Sequence, residues 1–205
     1  ITIVTSYNFP DDAATANRLS IFAEVLAKHG NYDVIVIGQG GESRKFQIEN
    51  HSIFVTQLKK RQFNKKNLLT RGFNELIDSF RLLKAAQNTQ ADTYLISIPS
   101  ITLLLPSILL KKNKVIYDVR DLVWEYLIKS SGIKKYAGFV IRQVSLIILK
   151  KSLFVTVTNE TELSYFKERN FPAVFKISNG ISQNKFNKLS CLNPKNYNKS
   201  HDYLL

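Results

Sequence analysis

The sequence predicts an α/β protein built on a doubly wound, mainly parallel sheet, and three observations carry that expectation. Short apolar, β-rich runs without polar alternation recur along the chain, among them residues 1–5, 32–37 and 115–118. Strands buried on both faces of a parallel sheet read in this way. Between them lie stretches with apolar residues at helical spacing, such as Leu19, Phe22, Ala23 and Leu26, the mark of a helix laid on a core. The two kinds alternate with connections of a few residues, which implies right-handed crossovers and a doubly wound arrangement.

Residues 1–5 form the first strand, and a polar turn covers 6–12. An amphipathic helix follows over 15–29, with Gly30 after it. The second strand spans 32–37, a glycine-bearing flexible loop covers 38–44, and 52–58 is the third strand. A long helix is expected over 64–88, with Leu68, Leu69, Phe73, Leu76, Ile77, Phe80 and Leu83 at helical spacing. Then come a strand over 92–98, a buried helix over 101–110 and a strand over 115–118. A helix over 135–151, a strand over 153–158, a helix over 161–169 and a short strand over 174–177 complete the set. Beyond residue 181 the character changes to Asn, Lys and Ser with almost nothing to bury, the composition of a linker. The expected domains are a lobe over 1–183, a linker over 184–201, and the start of a truncated second lobe at 202–205.

The totals bound the function. Of 205 residues 44% are hydrophobic and 22% charged, which excludes wholesale disorder. Lys and Arg outnumber Asp and Glu by 29 to 16, giving a formal charge of +13. Such an excess favours anionic partners. A single cysteine, Cys191, and three scattered histidines offer neither an internal disulfide nor a zinc-like cluster. They point to a reducing compartment. No signal peptide is visible at residue 1. The longest apolar runs are too short to cross a bilayer, and Pro106 in one, and Arg142 and Gln143 in the other, interrupt them. The expected location is cytoplasmic, at most peripheral on the inner face of the membrane.

The chemistry concentrates in Lys114 to Tyr126, KVIYDVRDLVWEY. Asp118, Arg120, Asp121 and Glu125 crowd around Leu122 and the chain's one tryptophan, Trp124, just beyond a strand. Ligands of open α/β sheets bind in that position. A purely structural reading is also available: Asp121 caps a helix starting at Leu122, and Arg120 pairs with a neighbouring carboxylate. The first turn argues against a dinucleotide, since residues 6–15 contain no glycine and carry Asp11 and Asp12 at the start of the helix. Those carboxylates suit a helix dipole and would repel a phosphate. No Walker sequence is present, and the spacing of Asp118 and Asp121 does not match a D-x-D metal motif.

DVRDLVWEY resembles the VRDLWPE segment of family-4 glycosyltransferases, retaining enzymes of the two-lobed GT-B architecture. Tyr7-Asn8-Phe9-Pro10 with Ala13 to Arg18, and Lys176 to Ile181 with Phe186, resemble further parts of the same amino-terminal lobe. The match covers nearly the whole chain, though Trp124 stands where the family usually has proline and Val123 where it has tryptophan. The resemblance implies a Rossmann-like, acceptor-binding lobe of a GT-B fold. The parent enzyme would transfer a sugar from a nucleotide-sugar to a saccharide or lipid-linked acceptor, with retention and no metal or other cofactor. Donor contacts would lie mainly on the other lobe. Asp121 and Arg120 become the catalytic candidates. Tyr7, Asn17, Arg18, Ser97, Trp124, Glu125, Asn159 and Glu160 become acceptor-binding candidates. For Asn17 and Arg18 the plain alternative is a solvated helix face, and for Asn159 a helix cap. Asn179-Gly180, a pair tolerant of positive φ, would mark the hinge. The reading from another class is a non-enzymatic flavodoxin-like binding or regulatory module.

Lys59, Lys60, Arg61, Lys65, Lys66 and Arg71 crowd the approach to the long helix, with Phe63 and Leu68 among them. No nucleic-acid-binding motif accompanies this run, so nucleic acid is not an expected partner. A contact with an anionic membrane surface fits better, with a solvated face as its plain alternative.

Overall fold

The computed structural model describes residues 1–9, 14–30, 32–48, 51–61, 68–98, 101–110 and 115–180. In chain order these form β1 (Thr2–Val4), α1 (Ala14–Lys28), β2 (Val34–Gln39), β3 (Arg44–Ile48), β4 (His51–Leu58), α2 (Leu68–Asn88) and β5 (Tyr94–Ile98). They continue with α3 (Ile101–Leu104), a 3-10 turn (Pro106–Leu109), β6 (Val115–Val119), α4 (Val123–Lys129) and α5 (Ile133–Leu149). The last elements are β7 (Phe154–Val157), α6 (Glu160–Lys167) and β8 (Val174–Lys176). The expected linker and second-lobe start lie outside the described residues, apart from the stretch up to Gly180.

One eight-stranded sheet runs in the order β3-β4-β2-β1-β5-β6-β7-β8. Every pairing is parallel except β3 with β4, an antiparallel pair at one edge. This is the expected doubly wound α/β lobe. The alternation of side chains along a strand divides its core in two. On one face α1 contributes Leu19, Ala23 and Ala27 against Ile3, Val34, Val36, Ile53, Val55 and Leu95. On the other, Leu82, Leu83 and Ala86 of α2, with Ile148 and Leu149 of α5, cover Val4, Ile96, Val115 and Val155.

Three expectations are corrected. Arg44–Ile48 is a strand, where the expected loop ran to 44 and no element was expected over 45–51; its sequence RKFQI lacks the apolar run of a central strand because it lies at an edge, where Arg and Lys discourage further pairing. The expected helix over 101–110 breaks into α3 and the 3-10 turn at Pro106, as an imino acid without an N–H requires. Gly38 and Gln39 extend β2. A Cβ at Gly38 would stand 2.9 Å from the Tyr7 carbonyl oxygen, so glycine there lets the turn after β1 settle against the strand. Gly138 does the same for the helices, since a Cβ would come 2.8 Å from the Ile128 nitrogen where α4 packs on α5.

Candidate functional site

The strand order reverses between β1 and β5, and the crevice outside the carboxyl ends of such strands is where open α/β sheets bind ligands. The register builds that edge from named residues. Ser97 of β5 pairs with Asp118 of β6, and Asp118 with Thr156 of β7. A β-strand shows alternate residues to one face, so these three stand in one lateral row on the side that α1 covers. Their relative exposures are 0%, 0% and 2%. A buried carboxylate is costly unless paired and hydrogen-bonded. Arg18 of α1 supplies the pairing. Its Nε donates to both carboxylate oxygens of Asp118 at 3.1 Å, and its Nη2 donates to Oδ1 at 2.8 Å. Thr156 Oγ1 donates to Oδ1 at 2.7 Å. The remaining Arg18 Nη1 donates to the Ile177 carbonyl at 2.5 Å, and Phe22 lies under the guanidinium, 4.7 Å from its centre. The Ser97 hydroxyl is buried with no partner among the described residues.

Arg18 is therefore not on a solvated helix face. It is 2% exposed, and its guanidinium is turned inward to Asp118 and Ile177 rather than outward to an acceptor. Thr156 is the edge residue that sequence reasoning missed, and Asp118, placed in the charged cluster by sequence, was not expected to be buried against Arg18. The available signal was a carboxylate inside an otherwise apolar strand, with a threonine at the matching place of the next one.

Above this row the chain leaves β6 at Arg120, which is half-buried, and Asp121, which is exposed. The helix that follows begins at Val123 and its N-cap is Leu122, without a side-chain cap bond. The capping alternative for Asp121 is thus corrected: its carboxylate stands at the sheet edge with no capping duty. Trp124, an acceptor-binding candidate from the sequence, is 1% exposed and packs in the core. Its Nε1 donates to the Tyr165 hydroxyl at 2.9 Å, and that hydroxyl donates to Glu125 Oε1 at 2.5 Å. Glu125 is half-buried with Arg142 at 3.8 Å. Burial first, and the Glu125 carboxylate second, push the Tyr165 phenol up to about 12.

Asn159 is the N-cap of α6, its side chain accepting from the Glu162 nitrogen at 2.9 Å. Glu162 reaches back to the nitrogen and hydroxyl of Thr158, each at 2.9 Å, a relative of the capping box. Glu160 is exposed and ion-paired with Lys176, whose hydrogen bond holds the Glu160 carboxyl below its ordinary range. Tyr7 is 39% exposed at the turn after β1, and Asn17 is half-buried. Asn179 and Gly180 lie exposed beyond β8, and neither takes a positive φ. The structure thus brings Arg18, Ser97, Arg120 and Asp121 to one edge, and assigns Trp124 and Asn159 to packing and capping.

In the basic run, Lys59 and Lys60 are exposed, Arg61 donates to Asn74 at 2.9 Å, and Arg71 pairs with Glu75 at 2.7 Å. Lys65 and Lys66, with Phe63, lie outside the described residues. Among the described residues no group of His, Cys, Asp and Glu is arranged to hold a metal ion.

No protein-family model and no curated protein matches this chain. Solved structures do. Sucrose-phosphate synthase from Thermosynechococcus elongatus superposes with a TM-score of 0.59 at 12% identity, over 86% of this chain and 46% of that one. Trehalose-6-phosphate synthase OtsA gives 0.55 at 13% identity, over 95% and 53%. UGT2 of Phytolacca americana, complexed with UDP-2-fluoro-glucose and pterostilbene, gives 0.53 at 12%, over 92% and 56%. The chain spans about half the length of these proteins, and its fold is the Rossmann-like α/β lobe that they contain.

Proposed function

We propose that this chain is the acceptor-side lobe of a glycosyltransferase that moves a sugar from a nucleotide-sugar to a saccharide or lipid-linked acceptor with retention of configuration. One observation supports the reading most. A buried row of Ser97, Asp118 and Thr156, with Asp118 held by Arg18 and Thr156, lies beneath half-buried Arg120 and exposed Asp121 at the sheet edge. That fold is shared with proteins solved with UDP-2-fluoro-glucose. Buried pairing beneath the edge fixes the backbone of β6. Asp121 then projects from an immobile support, the condition under which a carboxylate can orient an acceptor hydroxyl or the transferred sugar. Arg120 beside it supplies positive charge toward the departing phosphate, with donor binding left to a second lobe. The transfer needs no metal ion in this reading, because the cations of the two lobes do that work.

The test is product formation by the full-length protein with a panel of nucleotide-sugars and saccharide or lipid-linked acceptors, with the product anomer read by NMR. Turnover with retention, unchanged by a chelator, is the expected result. An inverted product would refute retention. Catalysis by the 205-residue chain alone would refute the division between lobes.

A further inference from the structure

The Tyr165 hydroxyl joins two neighbouring residues of another helix. Trp124 Nε1 donates to it at 2.9 Å, and it donates to Glu125 Oε1 at 2.5 Å. An indole can only donate and a carboxylate can only accept, so chemistry fixes the direction of both bonds. The second has the length of a charge-assisted bond. Both partners lie in the first turn of α4, 41 and 40 positions before Tyr165. Arg120 and Asp121 stand directly ahead of that turn, with only Leu122 and Val123 between Asp121 and Trp124.

That turn needs an outside anchor. α4 has seven residues, and Leu122 at its N-cap makes no side-chain cap bond. A helix this short is not stable by itself, and its first N–H groups find no partner within it. α5 holds the other end, where a Cβ at Gly138 would stand 2.8 Å from the Ile128 nitrogen and 2.9 Å from Leu127 Cβ. Arg142 of α5 lies 3.8 Å from Glu125, beyond hydrogen-bond range. Trp124 is buried in the core, but apolar burial has no direction. Hydrogen bonds do, and those through the Tyr165 hydroxyl fix how the first turn is rotated.

Tyr165 is itself firmly held. Arg169 lies over its ring, 3.6 Å from the centre, and donates to its carbonyl at 2.9 Å. Phe166 meets the ring at 5.4 Å, edge to face. Asn159 and Glu162 cap the start of α6. The capped helix thus anchors the uncapped one.

We propose that Tyr165 is a positioning residue, its hydroxyl setting the first turn of α4 and with it the direction in which Arg120 and Asp121 leave β6. Glu125, an acceptor-binding candidate from the sequence, belongs to this anchor. The effect on turnover rests on the transfer proposed above, whereas the effect on the start of α4 does not.

The experiment compares the full-length protein with Tyr165→Phe, Glu125→Gln and Glu125→Ala. Tyr165→Phe keeps the ring under Arg169 and deletes only the hydroxyl. Glu125→Gln leaves an oxygen to accept from the phenol, and Glu125→Ala does not. Two signals report on the anchor. One is the indole N–H resonance of Trp124, the one tryptophan in these 205 residues. The other is hydrogen exchange at the Glu125 amide, bonded to the Leu122 carbonyl at the start of α4. The Leu163 amide of α6, bonded to the Asn159 carbonyl, is the reference.

In Tyr165→Phe the indole resonance should move. In Tyr165→Phe and Glu125→Ala the residue-125 amide should exchange roughly tenfold faster, the scale of one lost hydrogen bond, with Leu163 unchanged. In the same two variants kcat should fall roughly tenfold or more with KM held within about twofold, since misplaced groups slow the chemical step. Glu125→Gln should stay near wild type in exchange and kcat. An unmoved indole resonance or unchanged exchange in Tyr165→Phe would overturn the anchor, and so would equal losses in Glu125→Gln and Glu125→Ala. Equal acceleration at Glu125 and Leu163 would make the hydroxyl a support of the whole fold and overturn the positioning role. Wild-type kcat beside faster exchange at Glu125 would overturn it too. Absence of transfer by the wild-type protein would refute the proposed function, and the exchange result would still decide the anchor.

Discussion

Arg18 and Asp118, separated by 100 positions in the chain, form a bidentate ion pair that is 2% and 0% exposed. It joins the start of α1 to the carboxyl end of β6, and through the Ile177 carbonyl to the chain leaving β8. Removing one partner leaves the other charge buried, which costs about 3–5 kcal/mol, whereas replacing both with well-packed apolar residues is often neutral. Asp118→Asn and Arg18→Ala are therefore expected to lower unfolding free energy by that amount, and Arg18→Met/Asp118→Leu to recover most of it. Urea denaturation of the three variants decides. Single variants that cost less than about 1 kcal/mol would mean that water reaches the pair.

Asp121 gives a separable prediction. Because Leu122, not Asp121, is the N-cap of α4, Asp121→Asn and Asp121→Ala should both change stability by no more than about 0.5 kcal/mol, the usual range for surface substitutions. Under the proposed transfer, each should cut turnover of the full-length protein roughly a hundredfold, the scale of a lost transition-state contact. Wild-type kinetics in both variants would remove Asp121 from the chemistry.

The sheet was legible because central parallel strands, closed off from water on both faces, admit almost nothing but apolar residues. The edge was not. Arg44–Ile48 is half solvated and reads as polar loop. At the candidate site the sequence pointed to the right segment, since the charges after β6 stand out against the apolar run before them. It did not reveal which charges are buried. Arg18 looks like any helical arginine until the register sets Asp118 within reach, and Trp124 looks like a cleft aromatic until the Tyr165 hydroxyl accepts its N–H. The outer face of α5 was not legible either. A helix was expected over 135–151, and its apolar spacing alone does not show that the core takes only one side of it.

Asn159 was expected either at the acceptor or at a cap, and its geometry makes it the cap of α6. Asn159→Ala should cost about 1 kcal/mol, while Asn159→Asp, which caps as well as asparagine, should cost little. Thermal unfolding of the two variants measures this. If Asn159→Asp leaves stability intact but abolishes transfer in the full-length enzyme, the side chain has a second role at the acceptor.

The last prediction concerns alkaline pH. Tyr117 is 3% exposed and its hydroxyl is 2.7 Å from Ser107 Oγ. Burial pushes its phenol up to about 12 against a smaller opposing pull from Ser107, and Tyr165 is raised to about 12 as well. The ordinary value is 10.0 for both. Between pH 10 and 12 the folded protein therefore holds protons that the unfolded chain has released. Unfolding free energy must then fall as pH rises through that window, and the contribution is fully present below it. For Tyr117 the loss across the window is on the order of 1–3 kcal/mol. Urea unfolding from pH 9 to 11.5 should show the decline, and Tyr117→Phe/Tyr165→Phe should flatten it although it lowers stability at pH 9. Phenolate absorbance offers an independent check. Tyr117 and Tyr165 should ionise only near the alkaline unfolding transition, so the double variant should lose absorbance change there. The same absorbance change at that pH in the double variant would show that these two phenols are not raised.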